Sequence, residues 1–176
     1  WTLLQDARAL TQALQNLGIA AGHICNSRDL LSDPHLIERG FYENVQKKNI
    51  NKVLDDLNAF AAAADFKNYF DLYAEESTFI GTDATEVWNK KEFMDYAKPY
   101  FDKGKAWDFK PNKRNWQFAA DGKVAYFDED LQTWMEGCRG SGICILEDGQ
   151  WKIAYYNLTV LIENEKIKPF IKLRKH

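Results

Sequence analysis

The sequence predicts an α+β domain in which helices come first and an antiparallel sheet follows. Three observations predict it. Apolar side chains recur at helical spacing in several stretches of the first hundred residues. From Trp107 onward the chain reads as strand-like runs. Asp121-Gly122 and Asp148-Gly149 separate those runs, and Asp-Gly between apolar runs is a hairpin signal.

Leu3, Ala7, Leu10, Leu14 and Leu17 form a helical stripe that Gly18 ends. Ile19–Cys25 reads as a short extended piece, and Ser27 as the N-cap of a short helix through Leu31. Asp33-Pro34 breaks that helix, and one more helical turn runs to Arg39 before Gly40. A new pattern begins near Lys47: Ile50, Val53, Leu54, Leu57, Phe60, Ala61 and Ala64 keep helical spacing for about four turns. Tyr69, Phe70, Leu72 and Tyr73 suggest a short helix ending in Glu75-Glu76, and Ser77–Gly81 a strand. Asn89 with Glu92 resembles a capping box opening a helix through Phe93, Tyr96, Ala97, Tyr100 and Phe101. Pro99 inside it predicts a kink or an early end. Strands follow at Trp107–Lys110 with Arg114–Ala119, Lys123–Met135, Gly140–Leu146 and Trp151–Ile162. Consecutive strands usually neighbour each other, so a meander is expected.

With 176 residues, 45% hydrophobic and 28% charged, the composition is globular. The net charge of −3 gives no general support for a nucleic-acid partner. No apolar run approaches the roughly 20 residues of a membrane span. No signal-peptide pattern is visible, and a start at Trp1 rather than Met fits a processed or trimmed terminus. Cys25, Cys138 and Cys144 match no zinc or redox spacing, which suits reduced thiols in a cytoplasmic protein. Residues 163–176 carry a local charge of +3, expected as a solvated basic tail, with docking through Phe170, Ile171 and Leu173 as the alternative.

Strand parity nominates the chemistry. On Lys123–Met135 the more apolar face holds Ala125, Phe127, Glu129, Leu131 and Thr133. Glu129 would then be a carboxylate among apolar neighbours, whose desolvation makes it a candidate general acid or base. The alternative is that it pairs with Arg114 or Arg139 and fixes the sheet. On the last strand Tyr155, Asn157 and Thr159 share the parity of Trp151 and Ile153, so an apolar face turns polar, as at a pocket mouth. The three histidines, His23, His35 and His176, all lie outside the central region, which removes a histidine-based triad and the usual histidine metal sites. Arg139-Gly140-Ser141-Gly142 lacks the ending of a phosphate loop; its glycines suit sheet curvature or a bulge.

The helix that begins near Lys47, Phe79-Ile80-Gly81-Thr82-Asp83, Trp88, Lys98-Pro99-Tyr100-Phe101, Arg139-Gly140-Ser141-Gly142 and Trp151-Lys152-Ile153 carry a resemblance. Over roughly residues 47–165 the chain resembles the nuclear transport factor 2-like superfamily, in its SnoaL-like branch. The segment Phe79–Asp83, with Gly104-Lys105-Ala106-Trp107, looks like a bacterial subgroup of that branch. The resemblance implies a curved antiparallel sheet wrapping three helices into a cone with a cavity at its open end, often in homodimers paired through their sheets. It also implies that a pocket Asp transfers protons, which nominates Asp83; the surrounding Thr82-Asp83-Ala84-Thr85 equally suits a turn or cap. Relatives often carry histidine where Tyr155 or Asn157 stands, and that departure weakens the case for catalysis.

Residues 1–45 resemble something else. Leu17-Gly18-Ile19-Ala20-Ala21-Gly22, Asn26 through Leu36 and Arg39-Gly40-Phe41 look like the C-terminal part of class III CoA-transferases. That family's catalytic aspartate lies far upstream of this part, so no catalytic or CoA-binding residue is carried over. A fusion explains the seam near Asn44–Lys48.

The expected organisation is a helical extension (1–45), a cone domain (46–165) and a basic tail (166–176). The expected function is binding of a small molecule, without cofactor or metal, in a homodimer and with neither nucleic acid nor membrane as partner. The pocket is assigned to Trp88, Tyr100, Trp116, Glu129, Arg139, Tyr155 and Asn157. The rivals are a cofactor-free isomerase, cyclase or hydratase using Asp83 or Glu129 as acid/base, and an oligomerisation module.

Overall fold

The structure, a computed structural model, describes residues 6–22 and 33–174. The Ser27–Leu31 helix, Cys25, His23 and His176 lie outside the described residues. The chain divides into two compact units, Trp1–Gln46 and Lys47–His176.

In the first unit α1 spans Ala7–Asn16, capped by Asp6, whose carboxylate accepts from the Ala9 amide at 2.8 Å. It ends at Gly18, whose φ of 75° suits a residue without Cβ. Asp33-Pro34 opens α2 (Pro34–Glu38): Asp33 accepts from the amides of His35 and Leu36, and Pro34 occupies the first turn, where no amide is needed. Helix α3 runs Phe41–Ala62, beginning a turn and a half before the apolar pattern that announces it.

In the second unit Ile50, Leu54, Leu57 and Ala61 of α3 are buried at helical spacing. Asp65 then caps α4 (Phe66–Asp71), which buries Tyr69 and Phe70. The sequence suggests a helix reaching Glu75-Glu76, but both residues are in strand β1 (Tyr73–Ile80). The cause is long-range: the Leu72 carbonyl accepts from the Ile153 amide at 2.9 Å, drawing the chain into the sheet. Strand β2 (Val87–Asn89) turns back on β1. Asn89 caps α5 (Lys90–Phe101) with both capping-box hydrogen bonds formed, 3.0 Å to the Glu92 amide and 2.9 Å back from Glu92. Pro99 falls in its last turn and the helix continues to Phe101.

Strands β3 (Lys110–Phe118), β4 (Val124–Thr133), β5 (Glu136–Glu147) and β6 (Gln150–Val160) form the expected antiparallel meander. The full curved sheet has the order β2-β1-β6-β5-β4-β3, and β1 joins it parallel to β6. The β5–β6 hairpin turns on Asp148 and Gly149, with φ of 49° and 79°, as a two-residue loop with positive φ at both positions requires. Helices α3 to α5 share one buried cluster with the inner face of the sheet. After the sheet, residues 164–166 form a single 3-10 turn and Ile167–Leu173 a short helix, α6, where the sequence suggests a solvated tail.

Candidate functional site

A cavity of about 370 Å³ opens between the helices and the inner face of the sheet. Leu57 and Asn58 of α3, Tyr69 of α4 and Phe93, Tyr96 and Tyr100 of α5 line the helical side. Phe79, Trp88, Tyr156 and Leu158 line the strand side. Thr82 and Glu86 of the β1–β2 turn, Trp107 of the α5–β3 connection, and Trp134 and Met135 of the β4–β5 turn complete the wall. The Tyr69 hydroxyl is satisfied within that wall, 3.2 Å from that of Tyr73 and accepting from the Trp107 indole N–H. Several ring planes are nearly parallel: Phe79 lies 12° from Phe93 with centroids 3.9 Å apart, and 2° from Tyr156.

Tyr156 faces inward because β6 carries an extra residue. Ile153 pairs with Cys144 but Tyr155 pairs with Ile143, so Ala154 is a β-bulge. One inserted residue reverses strand parity beyond it. Tyr156 and Leu158 therefore turn to the core, and Tyr155 and Asn157 to the outer face. Their assignment to the pocket is corrected on this ground. Gly142 pairs with Tyr156 just past the bulge, where a Cβ would lie 2.4 Å from the Tyr155 carbonyl oxygen and 2.7 Å from the Phe127 ring.

Behind Tyr156 a polar chain runs from the core to the surface. Its hydroxyl donates to Glu129 Oε1 at 3.0 Å, and Arg114 Nε donates to Glu129 Oε2 at 2.9 Å. Arg114 Nη1 continues to Asp55 at 2.9 Å and to Asn51. Glu129 is 0% exposed, inward as parity predicts, and pairs with Arg114. Burial raises its pKa, against the opposing pull of Arg114 and of the Tyr156 hydrogen bond. Burial and the adjoining carboxylate push the Tyr156 phenol well above its usual range. Gly140 makes the contact possible: a Cβ there would stand 2.2 Å from the Tyr156 hydroxyl. Glu129 does not itself line the cavity; Tyr156 stands between them.

Of the other expected site residues, Trp88 and Tyr100 line the cavity. Asp83 does not; its carboxylate accepts from the Thr85 amide at 2.9 Å and hydroxyl at 2.6 Å, closing the β1–β2 turn. Those bonds hold its carboxyl below the usual range. Trp116 packs on Phe127 and donates its indole N–H to Asn51 at 2.9 Å, outside the cavity wall. Arg139 pairs with Asp130 on the outer face at 3.1 Å. The cavity's own carboxylate is Glu86, missed in favour of Asp83, although its strand parity with Trp88 was a usable signal. Trp134 was missed because the strand pattern ran through it; it occupies the loop between the paired Thr133 and Glu136. Among the described residues no three His, Cys, Asp or Glu side chains gather as a metal site, and no helix is long and apolar enough to cross a membrane.

The comparisons agree with this geometry. An NTF2-like protein of unknown function from Pseudomonas putida superposes with a TM-score of 0.58 at 11% identity, covering 70% of this chain and 92% of that one. A domain of unknown function with a cystatin-like fold from Nostoc punctiforme gives 0.60 at 12% identity, covering 75% and 87%. An NTF2-like protein of unknown function from Shewanella baltica gives 0.51 at 14% identity, covering 66% and 94%. At such identities they share the fold. No curated protein sequence matches the chain. The model of the SnoaL-like domain matches residues 50–163, from the buried Ile50 of α3 to just past β6, and the chain belongs to that family.

Proposed function

We propose that the second unit binds a small, largely apolar molecule carrying a flat ring. The carrying observation is the unfilled cavity of about 370 Å³ walled by aromatic side chains, of a size and character suited to small ligands. Its near-parallel rings favour a flat ligand that stacks on them. Calorimetric titration with 2-naphthylmethanol tests this. Binding to the wild type and its loss in Ala106→Trp, which fills the cavity from its wall, are expected. Equal binding by both forms would overturn the reading.

A second reading, a cofactor-free isomerase, cyclase or hydratase, is favoured by one contact. Tyr156 lines the cavity while its hydroxyl is bonded to Glu129. There the Tyr156 oxygen would take a proton from the ligand as its own proton passes to Glu129 Oε1, and the reverse shift would return it. Tyr156→Phe would then lower turnover by about a hundredfold or more with little change in affinity.

We read the domain as a homodimer paired through its sheets. Tyr126, Ile143 and Tyr155 form one row across three strands of the outer face, and Tyr126 and Ile143 are exposed. Native mass spectrometry at the monomer mass would refute this. Residues 1–45 we read as a structural extension left by fusion with a CoA-transferase-like segment. Reduced thiols at the buried Cys138 and Cys144 support a cytoplasmic setting.

A further inference from the structure

The cavity wall carries one charged side chain among the described residues, the carboxylate of Glu86. Its position is built. The backbone amide of Asp83 donates to Glu86 Oε2 at 3.1 Å, and the Gly81 amide donates to the Glu86 carbonyl at 2.9 Å. Gly81 must be bare for this: a Cβ there would lie 2.1 Å from the same carboxylate oxygen. Aromatic rings gather beside it. Trp88 stacks on Tyr96 with centroids 4.3 Å apart, and Tyr96 lies 5.5 Å from Tyr100. Burial and the hydrogen bond with Tyr100 push the Tyr96 phenol up to about 12, and the charge of Glu86 adds to the rise.

Among the described residues no protein cation answers this carboxylate. The three lysines of α5 pair elsewhere, Lys90 with Glu75, Lys91 with Asp95 and Lys98 with Asp102. Glu86 takes part in no ion pair among the described residues. Ring faces of Trp and Tyr attract cations through their quadrupoles, and an ammonium beside both rings and a carboxylate gains from each.

We propose that the cavity selects an organic cation: an amine or quaternary ammonium attached to a flat apolar body. Glu86 is its counter-ion, and Trp88, Tyr96 and Tyr100 face the charged head. The assignment rests on the ligand-binding reading above and adds the sign of the ligand's charge.

The test compares three probes of one shape on the full chain by calorimetry: 2-naphthylmethylammonium, 2-naphthylmethanol and 2-naphthoate. The ammonium should bind about tenfold tighter than the alcohol, and the carboxylate weakest. Glu86→Gln, whose amide oxygen can still accept from the Asp83 amide, should erase the preference, bringing the ammonium to the affinity of the alcohol in the same variant. An alcohol that binds the wild type as tightly as the ammonium, or a preference that survives Glu86→Gln, would overturn the assignment and leave the cavity reading intact. Failure of all three probes to bind would overturn both.

Discussion

Tyr156 and Glu129 meet across the bare backbone of Gly140, hydroxyl to carboxylate at 3.0 Å, with Arg114 on the far oxygen. This contact ties the cavity wall to the sheet interior. It exists because Ala154 reverses the parity of β6.

Gly140→Ala should destabilise the domain by about 1–3 kcal/mol in urea denaturation, because the new methyl overlaps the Tyr156 hydroxyl. In a Tyr156→Phe background the added cost should shrink by about 1 kcal/mol, since the two sites share one contact. Strict additivity would show that the hydroxyl does not lie there.

Arg114→Met leaves a fully buried carboxylate without its counter-charge. The arginine side chain is 11% exposed, so the loss should approach the roughly 3–5 kcal/mol of a broken buried pair near neutral pH. The loss should shrink on acidification, because a protonated Glu129 needs no counter-ion. Urea midpoints across pH for both forms check this.

The raised pKa of Glu129 fixes a further sign. The folded state holds this proton more tightly than the unfolded chain. Its contribution is present in full below the unfolded pKa of about 4.5 and is lost as pH rises through the folded value. Glu129→Gln removes that slope. The stability of the wild type relative to Glu129→Gln should therefore fall as pH rises above about 4.5; a rise would mean the pKa is depressed.

Asn89→Ala removes the α5 cap and should cost about 1 kcal/mol in thermal or urea unfolding. The cap lies between Trp88 and Tyr96, so ligand affinity should weaken alongside stability.

Tyr155→Phe and Asn157→Ala should each leave ligand affinity unchanged in the same titrations, because neither lines the cavity. Trp88→Ala should lower it.

What the sequence revealed was local. Asn89 and Glu92 announce their cap, Asp148-Gly149 its hairpin, and the alternation from Ala125 to Thr133 its inner face, each through contacts within a few residues. The glycines at 140 and 142 signal irregularity in the sheet, but not which strand holds the bulge. Ala154 breaks no pattern of its own, so Tyr155 and Asn157 seemed to continue the face of Ile153. The end of α4 was hidden for a different reason: β1 is pulled into place by β6, about 80 residues away, a pairing that local propensity does not record. Glu86 is legible through its parity with Trp88, whereas the resemblance nominates Asp83, whose carboxylate closes the turn.

The central claim is that ligands enter the cavity beside Tyr156 and Trp88. Amide and indole chemical shifts recorded while 2-naphthylmethanol is titrated into the full chain test it most directly. Perturbations should concentrate at Trp88, Tyr96, Trp134 and Tyr156, with Trp134, 83% exposed at the cavity wall, among the largest. Unchanged spectra, or perturbations confined to Tyr126, Arg139, Tyr155 and Asn157 on the outer face, would contradict it.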